Sequence, residues 1–592
     1  MCGFAGAIPL GAGAAPAPPL SRALERLAAR GPDAQWVGRH GVAALAATRL
    51  AIVDRTAASD PPLLDPSGEV CLLYNGELYD AERVRGELRA RGRAFRSAGD
   101  GEVVLAAYLE HGESFLRAID GMFALAIVDR RNGGKVLLAR DPFGEKPLLY
   151  ARTAAGLAFA STMAALRPLL DRPEVDPDVL AATVRHGFAL GGATAMRGVR
   201  RVPPGTAIVF EGGVERVLAF VGRASAVQET GEALDALAAR FRELLRASVR
   251  RRARSEVGVG VFLSGGLDSA AIAAALAEEG IVARALTAGF RGEDDERPRA
   301  RATARALGVP WIEVELGPDL LESWGPLTAE IGEPLADASI LNLHALARRA
   351  RERVGVVLAG EGGDELFGGY RRERAYAAIG SLRLPAAVSA GLAALPGEAG
   401  RVGRALRRPR GMERYRELRD RTSEGEELLL SEYRGARVEA DPAHATTARD
   451  EDLGSYLPDD LLFRLDAATA AASIEARAPF LDPDLAAFGR TLPRSARHGL
   501  GSGKRVIRRA LEGRVPDEVV RGRKRGFGAP LARWLRETDF AARVLEDPRA
   551  LEPPLDRAKV RAALEDHRRG RRDRSLVLAR AIAVELFRRT FA

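Results

Sequence analysis

The stretch VGVGVFLSGGLDSAAIAAALAEEG, residues 257–280, decides how the larger part of the chain is read. Its opening VGVGVFL is short, apolar and rich in valine, which suits a buried strand. SGGLDS (264–269) is a tight turn, and the alanine-rich run behind it has helix-forming composition. Outward from it follow a second strand-like run, ARALTAGF (283–290), a helical segment, ERPRARATARALG (296–308), and a third strand, PWIEVEL (310–316). The alternation β–α–β–α–β implies a parallel sheet with helices on both faces. The glycines of SGGLDS let the backbone approach an anion, and the helix behind it offers N–H donors and a favourable dipole. This is not a Walker loop. The nearest imitation, GLGSGKR (499–505), lacks the glycine spacing and a Ser or Thr after Lys504. Just upstream, DALAARFRELLRASVRRRARS (235–255) has helical spacing of Leu, Phe and Val. From about residue 370 the pattern is mostly helical, and its Arg/Glu pairs read as solvated helix faces.

The N-terminal part differs. Apolar runs at 41–54, 70–80, 122–130 and 135–141 are separated by turns such as DPSGE and RRNGGK, an α+β pattern rich in antiparallel sheet. PPGTAIVFEGGVERV (203–217) reads as a closing hairpin, and the small, polar GRASAVQETGE (222–232) reads as a linker. The expected division is a first domain at 1–218, a linker at 219–234 and a second domain at 235–592.

Composition bounds the function. The 592 residues suit two or three domains, and the apolar share of 46% is ordinary for a globular chain. No long uncharged apolar run predicts a membrane helix, and the N-terminus lacks the form of a signal peptide. The cysteines are Cys2 and Cys71, which argues against a disulfide framework and for a reducing, cytoplasmic setting. The net charge of +9 comes from arginines spread along the chain, often beside acids, with lysine confined to Lys135, Lys146, Lys504, Lys524 and Lys559. No nucleic-acid-binding motif accompanies that charge, so neither nucleic acid nor membrane is an expected partner.

Cys2 becomes terminal once Met1 is removed. Its thiol and its own α-amine then form a self-contained nucleophile and base. Around it stand MCGFAG (1–6), ARGPD (29–33), RLAIVD (49–54), YNGELYD (74–80), GDGE (99–102), GMFALAIVD (121–129) and ARDPFGEKPL (139–148). In this order they resemble the class II glutamine amidotransferase domain, an N-terminal-nucleophile hydrolase of α+β sandwich form. The resemblance implies Cys2 as nucleophile, with Asn75 and the Gly76 N–H as oxyanion donors. Arg49 would take the glutamine α-carboxylate, and Glu77 and Asp100 its α-ammonium. It also implies that Arg30 orders the loop around Cys2. The chain departs from the family pattern at Ala29, Thr48, Asp80 and Thr162, where His, a basic residue, Asn and Glu are usual. Cys71, in an apolar run, reads as a buried small hydrophobe.

The second part carries AGEGGDELFGGY (359–370), EPLADASI (333–340), RLDAATAAASIEARAPFLD (464–482) and VPDEVVRGRKRGFGAPLARWL (515–535). With SGGLDS these resemble an α/β ATP-pyrophosphatase domain with a helical C-terminal extension. Together with the N-terminal motifs, the whole chain is similar to the glutamine-hydrolysing asparagine synthetase family. The resemblance implies ATP and Mg²⁺, with aspartate and glutamine as the other substrates. Ser264, Gly265, Gly266, Asp268, Ser269 and Asp364 would meet the phosphates, with Asp268 and Asp364 holding the metal. Leu263, Ala288, Ala359 and Gly360 would line the adenine and ribose pocket. Glu361 and Lys524 would serve the adenylation chemistry. Lys504 is read as structural or near the substrate, and Arg477 and Asp482 as holding the PFLD turn in preference to binding the amino-acid substrate. Ammonia must travel unprotonated between the sites, which calls for an apolar interdomain tunnel. The acceptor stays open between aspartate and another carboxylate on a peptide, modified amino acid or glycan. A family that often dimerises leaves a homodimer open.

Overall fold

Strand pairing in the first domain begins at Cys2 itself. The computed structural model describes residues 2–10, 20–221, 229–290, 295–395, 397–435, 445, 447–499, 502–522, 528–547 and 549–591. Its strands are numbered β1–β17 along the chain. One sheet has the order β10 (Val199–Arg201), β8 (Leu149–Thr153), β9 (Gly156–Ala160), β1 (Cys2–Pro9), β3 (Ala43–Arg49) and β2 (Ala34–His40). The second has the order β12 (Val214–Ala219), β11 (Thr206–Glu211), β7 (Lys135–Arg140), β6 (Gly121–Asp129), β5 (Val70–Leu78) and β4 (Leu63–Leu64). The β11–β12 pair is the expected hairpin.

The two sheets bury Phe4, Leu45, Leu73, Ala126, Leu138 and Phe159 between them, Cys71 included. Alternation along each strand sends the other side chains to the outer faces. There Val84, Leu88, Val103 and Ala107, from helices Ala81–Ala90 and Asp100–His111, cover the second sheet. Helices Ser21–Leu27, Met163–Leu166 and Pro177–His186 cover the first. The result is the four-layered sandwich of an N-terminal-nucleophile hydrolase. The core outside the first sheet runs on without a break into Trp324, Leu327, Ile331, Leu465 and Ala468 of the second domain.

The second domain is built on a parallel sheet of order β15 (Trp311–Glu315), β14 (Ala283–Gly289), β13 (Val259–Phe262), β16 (Val356–Leu358) and β17 (Glu475–Arg477). The chain builds outward from β13 to β14 and β15, then returns to the other side of β13 as β16. That reversal opens a crevice at the carboxyl ends of β13 and β16, where open α/β sheets bind ligands. From residue 371 onward the chain is largely helical. One segment matters below: the π-helical turn Asp452–Leu461, containing Pro458, runs straight into the helix Leu462–Ala470. Among the described residues no helix is long and apolar enough to cross a membrane.

Candidate active sites

The β1–β3 register sets Cys2 opposite Arg49. Both line a pocket of about 630 Å³, open mouth included, with Gly76, Glu77 and Asp100. Cys2 is half-buried, and burial raises its thiol above the ordinary range. The backbone N–H of Cys2 donates to Asn75 Oδ1 at 2.9 Å. The other end of that amide, Asn75 Nδ2, is buried with no hydrogen-bond partner among the described residues. An orphaned buried donor beside a nucleophile is costly for folding alone and suits an oxyanion hole. A side chain at Gly76 would run into the Met122 carbonyl at 2.3 Å, so β5 and β6 close tightly at this point.

Asp100 accepts from the Tyr74 hydroxyl (2.9 Å) and the Leu78 N–H (2.8 Å). Burial, tempered by Arg477 and reinforced by Asp100, pushes Glu77 up to about 8. Arg49 is already engaged: it donates to the carbonyls of Asp54 and Thr56 and pairs with the Asp60 carboxylate at 2.6 Å.

The second crevice gathers the glycine loops. Ser264 and Gly266 N–H groups donate to Ser269 Oγ and Ser264 Oγ, both at 3.1 Å, so the SGGLDS turn is braced by its own hydroxyls. A side chain at Gly363 would meet the Asp268 carboxylate at 2.7 Å, which seats the GEGGDE loop directly on SGGLDS. Lys504 Nζ binds both Asp268 and Asp364. Burial alone would lower that ammonium, yet the two carboxylates hold it above its ordinary range. Two carboxylates that converge on one cation fit the oxygen-rich demand of Mg²⁺ shared with phosphates. Leu263 and Ala359–Gly360 directly follow β13 and β16, and Ala288 lies near the end of β14, so all four rim the same crevice. Burial raises Glu361, with Arg464 pulling the other way. Lys524 lies outside the described residues.

Between the two crevices lies a cavity of about 640 Å³, open mouth included, walled by both domains. Ala29, Arg30, Leu148 and Thr162 face Glu330, Phe463, Asp466 and Ala467 across it. Arg30 is buried and spans the junction. Its Nε donates to the Cys2 carbonyl (3.2 Å), and its Nη1 and Nη2 donate to Asp466 (2.8 and 3.3 Å). Lys146 reaches the same Asp466 at 3.4 Å. The lining is mainly apolar, with Leu148, Met163, Ile331, Phe463 and Ala467, and charged side chains such as Arg30 and Asp466 stand among these residues.

Three further residues stand at the two sites. Lys504 stands between the two candidate metal-binding carboxylates. Glu475, from the edge strand of the second domain, lines the Cys2 pocket. Arg477 donates to the carbonyls of Arg252 (2.8 Å) and Arg254 (2.7 Å), but it also pairs with Glu475 and, at 3.2 Å, with Glu77. Asp482 caps the helix Pro483–Thr491 and is held by Arg251 and Arg252.

Of the departures, Thr162 caps a helix by accepting from Ala165 N–H, and the buried Thr48 donates to the carbonyls of Leu27 and Gly3. Asp80 accepts from Asp120 N–H, and the Ala29 carbonyl accepts from Ser473.

Comparison with known proteins gives two family matches, "Asparagine synthase" over residues 240–589 and "Glutamine amidotransferase domain" over residues 1–220. A Mycobacterium tuberculosis protein, provisionally named a glutamine-hydrolysing asparagine synthetase, is 33% identical over 97% of this chain and 95% of its own. Bacillus subtilis glutamine-hydrolysing asparagine synthetase 1 is 29% identical over 97% of this chain and 94% of its own. Among solved structures, a B. subtilis glutamine phosphoribosylpyrophosphate amidotransferase overlaps 53% of this chain and 65% of its own, at 15% identity and a TM-score of 0.27.

Proposed function

Because the chain belongs to the asparagine synthase family, we propose that it makes asparagine from aspartate, ATP and glutamine at two cooperating sites. In the first, Cys2 attacks the side-chain amide of glutamine. Its own amine, freed by removal of Met1, takes the thiol proton, and Asn75 holds that amine in place. Asn75 Nδ2 and the Gly76 N–H receive the oxyanion. Ammonia departs, and water releases glutamate from the thioester. Arg49 takes the glutamine α-carboxylate, and Glu77 and Asp100 take its ammonium.

In the second site the aspartate β-carboxylate attacks the α-phosphorus of ATP and pyrophosphate leaves. Ser264, Gly265, Gly266 and Ser269 contact the phosphates, and Lys504 and Lys524 supply positive charge. Asp268 and Asp364 would hold Mg²⁺, whose charge neutralises the phosphate oxygens. Leu263, Ala288, Ala359 and Gly360 flank the nucleoside. Ammonia then displaces AMP, and the half-buried Glu361, raised in basicity, takes the surplus proton. The reading extends to a domain boundary within 219–234, a cytoplasmic setting and a homodimer.

The observation that carries this reading is the cavity between the sites. Arg30 touches Cys2 at one end of it, and at the other it shares Arg201, Glu333 and Phe463 with a pocket containing Arg464, which acts on Glu361. Incubation with ATP, Mg²⁺, glutamine and aspartate is expected to yield asparagine, AMP, pyrophosphate and glutamate. Glutamate with neither asparagine nor AMP would sink the aspartate assignment.

A smaller test concerns Asp60, which competes with the substrate carboxylate for Arg49. Asp60→Asn is expected to lower KM for glutamine about fivefold, the worth of a partly exposed ion pair at about 1 kcal/mol. A raised KM would place Asp60 among the groups that support the pocket.

A further inference from the structure

What holds the two glutamine clamps apart follows from one buried residue beside the pocket. The run RLAIVD (49–54) leaves β3 at Arg49 and ends at Asp54. Asp54 is only 5% exposed, although Arg55, Thr56, Ala57 and Ala58 behind it lie on the surface. Its φ is +49°, a left-handed backbone that is costly for most side chains and that Asp and Asn tolerate best. A strained backbone at a buried acid points to work for that side chain.

Every polar group of Asp54 is engaged, and its partners fall into two sets. Towards Arg49, the Asp54 carbonyl accepts from the guanidinium, and Oδ1 accepts from the Thr56 N–H (3.2 Å) and hydroxyl (2.6 Å). That fixes the turn whose Thr56 carbonyl takes the other arm of Arg49 at 2.8 Å. Towards Asp100, Oδ2 accepts from the Ser59 hydroxyl (2.6 Å) and from the N–H groups of Ala98 (2.8 Å) and Gly99 (3.1 Å). Gly99 directly precedes the helix that begins at Asp100. The buried Arg85 takes the carbonyls of Ser97, Ala98 and Gly99 at 2.9, 2.8 and 2.9 Å, so this loop is held between a cation and an anion. A side chain at Gly99 would meet Ser59 Oγ at 2.3 Å, so the two loops touch. The Asp54 N–H donates to Glu256 Oε1 of the second domain at 2.9 Å. Burial would raise the Asp54 carboxyl, but hydrogen bonds from Ser59, Thr56 and Ala98 hold it well below the usual carboxylate range. It is therefore ionised wherever the amine of Cys2 can act as a base.

We propose that Asp54 is a positioning residue of the glutamine site, setting the spacing between Arg49 and Asp100 without touching the substrate. This rests on the assignment of Arg49 to the α-carboxylate and Asp100 to the α-ammonium. Ser59 and Gly99, which Asp54 holds, line the Cys2 pocket, while Asp54 is not among the described residues that do. An α-amino acid carries its carboxylate and ammonium on one carbon, so the two clamps must stand a fixed distance apart. A displacement of about 1 Å at such a clamp can cost about a hundredfold in rate. A single ionised side chain bonded to both loops keeps that distance.

The test uses the full chain. Asp54→Asn keeps the size and the tolerance for a left-handed backbone, but one of the two sets of donors loses its acceptor. KM for glutamine should rise at least about tenfold, while asparagine formation from ammonium chloride, ATP, Mg²⁺ and aspartate stays within about twofold of the native rate. The second probe is 4-carbamoylbutanoate, which is glutamine without its α-ammonium and needs only the Arg49 clamp. Its inhibition constant against glutamine hydrolysis should move less than about threefold, because no spacing is asked of it. Equal factors for probe and glutamine, or a KM for glutamine within about twofold of native in a folded Asp54→Asn, overturn the positioning role. Asp100→Asn distinguishes that failure from failure of the clamps: an unchanged KM for glutamine there removes the assignment of Asp100, and the spacing argument with it. If thermal unfolding shows that Asp54→Asn does not fold, Ser59→Ala deletes one arm of the hub and carries the same comparison. A rise of about threefold in KM for glutamine is then expected, and an unchanged KM overturns the proposal.

Discussion

Replacing Cys2 with alanine is expected to stop asparagine formation from glutamine, a loss on the order of 10⁴-fold, while synthesis from ammonium salts continues near the native rate. The magnitude follows from the pocket. Arg49, Glu77 and Asp100 surround the cysteine, so glutamine can still bind, but among the described residues that line the pocket no other thiol or hydroxyl stands paired with a free amine. Cys71, the other cysteine, is buried between the sheets with a thiol pushed up to about 12, and it offers no substitute. The pH profile of glutamine hydrolysis should carry the same signature. Burial raises the Cys2 thiol, so the thiol is protonated at neutral pH and waits for its amine to take the proton. That amine must itself be neutral, and hydrolysis should therefore climb as pH rises through about 7.7–8.0, the ordinary range of an α-amine. Assays of glutamate release and of ammonium-dependent asparagine formation on one preparation settle the point. Loss of both activities in a folded Cys2→Ala would mean that the two sites are not separable.

The order of strands and helices was legible wherever short-range pattern determines it. VGVGVFL followed by SGGLDS can form little other than strand, turn and helix, and GVAALAATRLAIVD could be placed as a strand from its apolar run. What the pattern could not carry was which loops meet. Glu475 sits in a three-residue strand whose place at the edge of the parallel sheet depends on β16, and its reach into the Cys2 pocket depends on how two domains dock. Neither is encoded within a window of neighbouring residues. Lys504 is a different case. Its clue was present: a lysine retained in a chain that otherwise uses arginine marks a place where a compact charge is wanted. At Lys504 the compact charge sits between Asp268 and Asp364, where a planar guanidinium fork would not.

The helix Leu462–Ala470 touches both chemistries, and Asp466 is the residue on it whose loss should be felt at both. Arg464 pairs with Asp337 and pulls on Glu361 of the second crevice, while Asp466 holds Arg30, which in turn donates to the carbonyl of Cys2. All three of Asp466, Arg30 and Lys146 are buried, and the two cations hold the Asp466 carboxyl below its usual range despite burial. Asp466→Ala removes the carboxylate that two buried cations share and is expected to destabilise the chain by about 3–5 kcal/mol, the cost of breaking a buried pair. It should also release Cys2 from the second domain, so that glutamate formed per asparagine rises above the stoichiometric value. The two effects can be separated. In the triple variant Arg30→Met, Lys146→Met, Asp466→Leu all three charges are replaced by apolar groups of similar size, which should recover much of the lost stability. The link from helix to nucleophile is still absent in that variant, so glutamine should continue to be hydrolysed in excess of asparagine made. Recovery of both stability and stoichiometry would mean that the pair serves folding alone. Recovery of stability with wasted glutamine would identify Arg30 and Asp466 as the contact through which the second site holds the first in check.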